Sequence, residues 1–233
     1  CKQHAGCYCP LDSKGITGVI PMRIELIDPS KVVKHVFPRK MNPEYAKYLQ
    51  EHFAELLSLN MIEVAPDGSF ASPIVIVPKK DSQGKDKLRF VVDLSELNAN
   101  IKDSPYLFPD AATVIQEIGH HRYYAHLDLL HGYWQMRVDE ESIPYNGFIT
   151  PLGKFVSRRV LQGMKNSPNY FHHTLRMVFK DCPHVLNYLD DFYVFGDTEQ
   201  EFLESLNQFF TVAEEHNIKF KGSIKINLKL SEI

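Results

Sequence analysis

The sequence predicts an α+β fold whose central element is an antiparallel sheet with helices on one face. The first observation is the order of predicted elements from Arg122 onward: strand, inserted hairpin, helix, strand, strand, helix, strand. Without the hairpin this order is β-α-β-β-α-β, the split βαβ arrangement. The second observation is the run at residues 186–195, where two apolar, aromatic-rich segments flank Asp190 and Asp191. This pattern is typical of a β-hairpin with a tight polar turn, here placed at Asp190-Asp191.

Composition limits the possible functions. The chain has 233 residues, of which 44% are hydrophobic and 24% charged, as expected for one large globular domain or two subdomains. No apolar run is long enough to span a membrane, so we expect no membrane partner. The formal net charge is −3, so binding to nucleic acid would need a local basic surface. Candidate basic residues, which could equally be ordinary solvated charges, are Lys79, Lys80, Lys85, Lys87, Arg89, Arg158 and Arg159.

Residues 1–22 are predicted to be a linker, because they show no sustained periodicity. Cys1, Cys7 and Cys9 surround His4, which leaves a small metal-binding knuckle open as an alternative. Their spacing matches no standard zinc pattern, so a disordered linker is the preferred interpretation.

The first half of the chain contains a helix and a hairpin. Asn42-Pro43 predicts a helix start, with Asn as the cap and Pro in the first turn. Residues 62–64 form a short extended piece, and residues 70–94 form a hairpin with a polar tip at residues 81–86.

The second half supplies the remaining elements of the sheet. A helix at residues 110–119 precedes a strand at residues 122–128, which ends on Asp128. A hairpin follows, with strands at residues 145–150 and 154–161, and Ser167-Pro168 opens the next helix. Thr198 and Glu201 form a capping box for the last helix, and residues 218–220 form a closing strand.

Three carboxylates are predicted to meet at strand ends. In the split βαβ arrangement, Asp128 and the Asp190-Asp191 turn lie on adjacent strands. Unpaired carboxylates in a hydrophobic hairpin need solvent or a cation. Oxygen ligands of this kind suit two Mg²⁺ ions, which also leave positions for substrate phosphates. The alternative, for Asp190-Asp191 alone, is a plain polar turn.

These residues carry a family resemblance. Tyr188-Leu189-Asp190-Asp191 resembles the Tyr-X-Asp-Asp motif of reverse transcriptases. Leu127-Asp128-Leu129 with Gly132-Tyr133 resembles their first aspartate motif, especially in gypsy-type LTR retrotransposons and related retroviruses. The segment from Gln162 to Pro168 resembles the family's Gln-Gly-X-X-X-Ser-Pro segment. The resemblance implies the fingers and palm of a right-hand polymerase and the activity of an RNA-directed DNA polymerase.

The resemblance also implies roles for individual residues. It assigns catalysis to Asp128, Asp190 and Asp191, and it assigns two Mg²⁺ ions, with Mn²⁺ as a substitute, to these residues and Leu129. It places contacts with the incoming dNTP at Arg89, at Lys79 or Lys80, and at Leu129, Leu130, Tyr133 and Gln162. Tyr133 would act as a gate against the ribose 2′-hydroxyl. Tyr188 and Gly163 would contact primer or template. Leu130-His131 departs from the more polar pair usual in the family, and the general-acid lysine is left open between Lys221 and Lys225.

The implied division follows the family. It gives a linker at 1–22, fingers at 23–115 and 139–166, and palm at 116–138 and 167–233, with the thumb and RNase H absent. The expected partners are an RNA or DNA template with a DNA primer, dNTPs, and the rest of a pol polyprotein, namely thumb, RNase H and integrase. The expected location is the cytoplasm, in a virus-like particle.

Two alternatives remain at this point. The chain could be a degenerate or domesticated retroelement fragment that keeps the fold, binds nucleic acid and has no activity. It could also be an unrelated ferredoxin-like binding module in which the carboxylates are a coincidence.

Overall fold

The computed structural model describes residues 4–31, 37–80, 86–104 and 111–228, and its chain divides into two compact units. The first unit contains residues 1–20, 104–135 and 168–233, and the second contains residues 21–103 and 136–167. The chain therefore passes between the units several times. The predicted boundaries lie at 22/23, 115/116, 138/139 and 166/167, whereas the observed ones lie at 20/21, 103/104, 135/136 and 167/168.

The first unit is built on a four-stranded antiparallel sheet. Its strands lie in the order β7-β8-β4-β9. They are β4 (Tyr123–Leu129), β7 (Val185–Tyr188), β8 (Asp191–Gly196) and β9 (Phe220–Leu228). Its helices are α3 (Ala111–Gly119), α4 (Gly132–Gln135), α5 (Ser167–Val178) and α6 (Glu199–Glu215). The predicted α+β class is confirmed, and the closing strand is longer than the sequence predicted.

The two faces of this sheet differ because side chains alternate along each strand. Phe192 and Val194 of β8 are fully buried. The ring of Phe192 packs against Phe179, which directly follows α5, and Phe209 of α6, at centroid distances of 5.0 and 5.4 Å. The residues that alternate with the buried ones near the connecting turn are only partly buried, namely Asp191 and Tyr193 of β8 and Tyr124, His126 and Asp128 of β4. The helices thus cover one face, and the opposite face carries the polar residues of the candidate site.

Local sequence signals explain where the main helices begin. Asn42 caps α1 (Pro43–Ser58), since its side chain accepts a hydrogen bond from the backbone N–H of Tyr45. Thr198 caps α6 in the same way through the N–H of Glu201. The Glu201 carboxylate accepts a hydrogen bond from the N–H of Asp197. In the standard capping box this donor is the N-cap residue itself, here Thr198, so the observed bond is shifted by one residue.

The second unit contains a five-stranded sheet in the order β1-β6-β5-β2-β3. Its strands are β1 (Ile62–Val64), β2 (Ser72–Lys80), β3 (Asp86–Val92), β5 (Gly147–Thr150) and β6 (Gly153–Ser157). β2 and β5 run parallel, and the other pairs are antiparallel. Both predicted hairpins are present, although the tip at residues 81–85 lies outside the described residues. The helix α2 (Ser95–Asn100) was not predicted.

The N-terminal segment differs from the linker that the sequence predicts. Cys7 and Ile16 are almost fully buried, and a short 3-10 helix spans Ala5–Tyr8. His4 bonds to Glu214 of α6 at 3.0 Å. Residues 4–20 therefore pack as part of the first unit, while Cys1 lies outside the described residues. Among the described helices, none combines the length and apolarity needed to cross a membrane.

Candidate active site

The register of three strands brings two of the aspartates face to face. Asp128 at the end of β4 pairs with Asp191 at the start of β8. The sequence placed the hairpin turn at Asp190-Asp191, and this position is wrong by one residue. Asp191 pairs with Tyr188, so Leu189 and Asp190 form the turn. Leu189 has φ +53°, and the carbonyl of Asp190 accepts a bond from the N–H of Leu129 at 3.0 Å. The predicted adjacency of the strands is confirmed.

Two of the carboxylates have basic partners on the open face. Nζ of Lys221 on β9 lies 2.8 Å from Oδ1 of Asp128, and the two side chains are 49% and 38% exposed. Nε2 of His126 lies 2.7 Å from Oδ1 of Asp191. The His126 ring also stacks on Tyr193, with centroids 5.1 Å apart. Burial, followed by the Asp191 charge, raises the pKa of Tyr193 above its ordinary value.

Asp190 is fitted closely against the short helix α4. A Cβ added at Gly132 would lie 2.8 Å from Oδ1 of Asp190 and 2.8 Å from Cζ of Phe171. Tyr133, the next residue, packs its ring against Phe171 at a centroid distance of 5.0 Å. Burial, with a smaller effect of the Asp190 charge, raises the pKa of Tyr133 to about 12. Gly132 is therefore required for space, because only a residue without a side chain lets α4 approach Asp190.

The oxygen atoms at this site are of the kind that binds a divalent cation. The site offers carboxylate oxygens from Asp128, Asp190 and Asp191, which are the ligands that Mg²⁺ prefers. The Lys221 ammonium lies against Asp128, which shows that this position can hold a positive charge. Within the described parts of the chain, however, no group of three or more His, Cys, Asp or Glu side chains is arranged to hold a metal ion. The ligands are present, but two of them are engaged with Lys221 and His126.

The remaining predicted residues of the first unit lie next to these carboxylates along the chain. Leu129 is buried, and its backbone contacts Asp190. The N–H of Leu130 donates to the carbonyl of Lys219 at 3.0 Å. Tyr188 is partly buried at the end of β7, directly before the turn. His126 and Gln135 were not predicted as site residues, because neither belongs to a recognised motif and both contact residues distant in the chain.

The predicted basic residues and the glutamine-glycine pair belong to the second unit. Lys79 and Lys80 are exposed at the end of β2, where Lys79 pairs with Lys87. Arg89 is partly buried on β3, opposite Val77. Lys85 lies outside the described residues. The other candidate basic pair is engaged within this unit, since Arg158 bonds to Glu63 and Glu140 and Arg159 is buried. The β2–β3 hairpin therefore carries the exposed lysines of this sheet region.

Gln162 and Gly163 follow β6 in an exposed loop. Gly163 has φ +93°, a conformation that favours glycine. Asn98 of α2 holds this loop, since its amide donates to the carbonyl of Gly163 and its oxygen accepts from the N–H of Lys165, both at 2.8 Å. Gly163 also lines an open groove of about 430 Å³ together with valines of β2 and β3. No local sequence pattern pointed to Asn98, because its role depends on a loop more than sixty residues away.

Comparisons with known protein families bear on this geometry. Residues 77–225 match the family model described as reverse transcriptase (RNA-dependent DNA polymerase). A Pol polyprotein of transposon 297 from Drosophila melanogaster is 29% identical over 206 residues, which are 82% of this chain and 19% of that protein. An enzymatic polyprotein of Cauliflower mosaic virus (strain NY8153) is 27% identical over 213 residues, 90% of this chain and 31% of the relative. The chain thus spans about a third or less of these relatives.

Solved structures with the same fold include a viral enzyme. The crystal structure of native prototype foamy virus protease-reverse transcriptase matches 99% of this chain and 30% of that chain, with a TM-score of 0.82 and 22% identity. The foamy viral protease-reverse transcriptase in complex with an RNA/DNA hybrid matches all of this chain and 30% of its own, with a TM-score of 0.82 and 20% identity. These matches establish the fold.

Proposed function

This chain belongs to the reverse transcriptase (RNA-dependent DNA polymerase) family, and we propose that it is the fingers and palm of an RNA-directed DNA polymerase from a gypsy-type LTR retroelement. The observation that carries the proposal is the pairing of Asp128 with Asp191 on adjacent strands, with Asp190 in the connecting turn. Family membership also excludes the alternative of an unrelated ferredoxin-like module. In the proposed assignment, the first unit is the palm and the second is the fingers.

The carboxylate site defines the chemistry. Asp128, Asp190, Asp191 and the backbone carbonyl of Leu129 would hold two Mg²⁺ ions, or Mn²⁺ in their place. When bound, these ions supply the positive charge that favours ionisation of the primer 3′-hydroxyl and neutralises the triphosphate. His126 orients Asp191 through its 2.7 Å contact, and Gly132 leaves room for Asp190. The protein's own task is to fix the carboxylates before the substrates arrive.

The predicted nucleotide contacts have chemistry that suits a triphosphate and its sugar. Arg89 would hold phosphate oxygens through its planar guanidinium, and Lys79 or Lys80 would add charge. Leu130 and Gln162 complete the proposed dNTP contacts. Tyr133 would act as the gate against a 2′-hydroxyl. Its packing on Phe171 supports this proposal, because a ring held in place can exclude a substituent.

Template and primer would bind mainly through their phosphates and shape. Tyr188 and Gly163 are the proposed contacts, and the groove beside Gly163 supports the second assignment. We further propose that the remaining partners are a thumb, RNase H and integrase of the same pol polyprotein, in a cytoplasmic virus-like particle. Either Lys221 or Lys225 would protonate the leaving pyrophosphate, and the contact of Lys221 with Asp128 favours Lys221.

A second candidate is a fragment that keeps the fold and binds nucleic acid without catalysis. It is favoured by one observation, namely that the described residues contain no ready group of three metal-ligating side chains.

The deciding experiment is extension of a DNA primer on an RNA template with Mg²⁺, with Asp190→Asn as the matched variant. Extension that disappears in D190N supports the polymerase. No extension, together with a primer-template shift on a native gel, supports the non-catalytic candidate. Adding a thumb-containing C-terminal segment from a relative then separates an incomplete enzyme from an inactive one.

A further inference from the structure

Gln135 is a buried amide that joins two distant parts of the first unit. Its side chain is at the end of α4, and the residue is 1% exposed. Nε2 donates to the carbonyl of Leu130 at 2.7 Å and to the carbonyl of Lys219 at 2.8 Å. Oε1 accepts from the N–H of Lys219 at 2.8 Å. Both amide protons and the amide oxygen are therefore bonded to backbone groups, which fixes the side chain in one orientation.

These bonds hold the entry of β9 beside the end of β4. Along most of the two strands the register is regular, with Leu127 opposite Ile224. The register shifts between Leu127 and Leu129, and Leu129 then pairs with Phe220. Irregularities of this kind redirect a side chain next to functional sites. Here the shift lies beside Asp128, whose carboxylate accepts a hydrogen bond from Lys221.

The position of Lys221 thus depends on where β9 begins. Its Nζ lies 2.8 Å from Oδ1 of Asp128, in a pair that is about half exposed. Gln135 clamps the backbone of Lys219, two residues earlier, on both its N–H and its carbonyl. The Lys219 side chain is directed elsewhere, to the carbonyl of Gly6. The clamp therefore acts on the backbone that carries Lys221.

We propose that Gln135 is a positioning residue that holds Lys221 against Asp128 and thereby lowers the affinity of the carboxylate site for a divalent cation. The Lys221 ammonium competes with the cation for Asp128, because both carry positive charge and bind the same oxygen. Loosening the start of β9 lets Lys221 leave Asp128, so the cation binds more tightly. This inference rests on the proposed function in one respect, since it requires Asp128 to hold a cation.

The test must separate this role from a purely structural one. Asn146 provides a matched control in the second unit, because it is also a buried amide, with Nδ2 2.8 Å from the carbonyls of Ser157 and Arg159. Asn146→Leu should lower the unfolding temperature as Gln135→Met does. It should leave cation binding unchanged. Gln135→Asn, which keeps the amide but is too short to reach both segments, is assayed where Q135M does not fold.

The measurement is the dissociation constant of Mn²⁺ for the whole 233-residue chain without nucleic acid. The electron paramagnetic resonance signal of free Mn²⁺ reports how much of the ion is bound. Lys221→Met should lower the dissociation constant about two- to fivefold, the range expected for a half-exposed ion pair. Q135M should shift it in the same direction by a similar factor. The double variant should match K221M, since both changes remove the same contact.

Each outcome has a distinct meaning. Tighter binding in both single variants, without further tightening in the double variant, supports the inference. A dissociation constant that changes in K221M but not in Q135M or Q135N overturns it, as do additive effects. D190N provides the reference for the proposed function. If the unsubstituted chain shows no saturable Mn²⁺ binding beyond that of D190N, the carboxylate site holds no cation, and the proposed function fails together with this inference.

Discussion

Adding one methyl group at Gly132 should test how tightly the site is built. In Gly132→Ala, the new Cβ would lie 2.8 Å from both Oδ1 of Asp190 and Cζ of Phe171. Real Cβ atoms do not approach other heavy atoms so closely, so one neighbour must move. Phe171 is fully buried, whereas Asp190 is only partly buried. The Asp190 carboxylate is therefore expected to move.

The expected cost can be stated for folding and for activity. Overpacking of this kind costs about 1–3 kcal/mol. For a chain of this size, 1 kcal/mol corresponds to roughly 2–4 °C in Tm, so G132A should unfold about 2–12 °C below the unsubstituted chain. Misplacing a catalytic group by about 1 Å can reduce the rate by about 100-fold. A shift of a few tenths of an ångström should therefore reduce primer extension by roughly 10-fold.

Gly119→Ala is the matched control, because no atom lies within 4 Å of a Cβ built at this glycine, which also ends a helix of the first unit. Its Tm and primer extension should stay near the unsubstituted values. The assays are thermal unfolding by circular dichroism and Mg²⁺-dependent primer extension. If G132A and G119A behave alike in both assays, the close fit between α4 and Asp190 does not exist in solution.

Substitutions at three further residues probe other parts of the first unit. Leu189→Asn should raise the free energy of unfolding by about 1 kcal/mol, because Leu189 has φ +53° and Asn adopts this conformation more readily. The urea midpoint should rise accordingly, and a lower midpoint would contradict strain at Leu189. His172 is buried and bonded to Asn187, and burial, followed by the charges of neighbouring Arg176 and His173, lowers its pKa below the ordinary 6.5. The unfolded state then binds the additional proton, so stability is lost as pH falls below about 6.5. His172→Gln should lose less stability between pH 7.5 and 5.0 in urea titrations, and an unchanged pH slope would refute this. His126→Phe keeps an aromatic ring but removes the bond to Asp191, and should reduce primer extension about 10-fold, as expected for loss of a group that orients a ligand. His126→Gln, which can still donate a hydrogen bond, should recover part of the activity, and equal activity of all three proteins would exclude an orienting role.

Short-range signals allowed much of the fold to be predicted. Asn42 and Thr198 each cap a helix through a bond to a residue three positions later. Because each capping pattern spans only four residues, it can be recognised from the local sequence, and the starts of α1 and α6 could be located. The adjacency of Asp128 and Asp191 followed from the order of the elements. It needed no knowledge of side-chain contacts.

The turn at Leu189-Asp190 shows where such signals fail. Aspartate prefers turns and leucine does not, so propensity favoured Asp190-Asp191. Pairing of Asp191 with both Asp128 and Tyr188 overrides this preference and moves the turn back by one residue. Leu189 consequently takes a left-handed conformation. The cost is accepted because the sheet contacts outweigh it.

Long-range contacts were beyond prediction from the sequence. The buried Cys7 and Ile16 lie in a segment without periodicity, and their contacts come from α6 and other distant parts of the chain. Gln135 could not be predicted for the same reason, because its role depends on a hydrogen bond to Lys219, 84 positions later. The three aspartates of the site were predicted from the sequence pattern, and the resemblance added their roles. The residues that position them, such as His126 and Gly132, emerged only from the folded geometry.

The interleaved path of the chain has a consequence for biosynthesis. The first unit draws on residues 1–20, 104–135 and 168–233, so its N-terminal segment is made long before its partners in α6 and β9. While the chain is still on the ribosome, the second unit can be completed once residue 167 has emerged. The four-stranded sheet cannot close until β9 has also left the exit tunnel. Non-local pairing of this kind is slow, so the nascent chain passes through a period in which Phe192 and Phe209 have no completed core. From this order of synthesis we expect chaperone dependence during expression and aggregation of chains cut before Phe220.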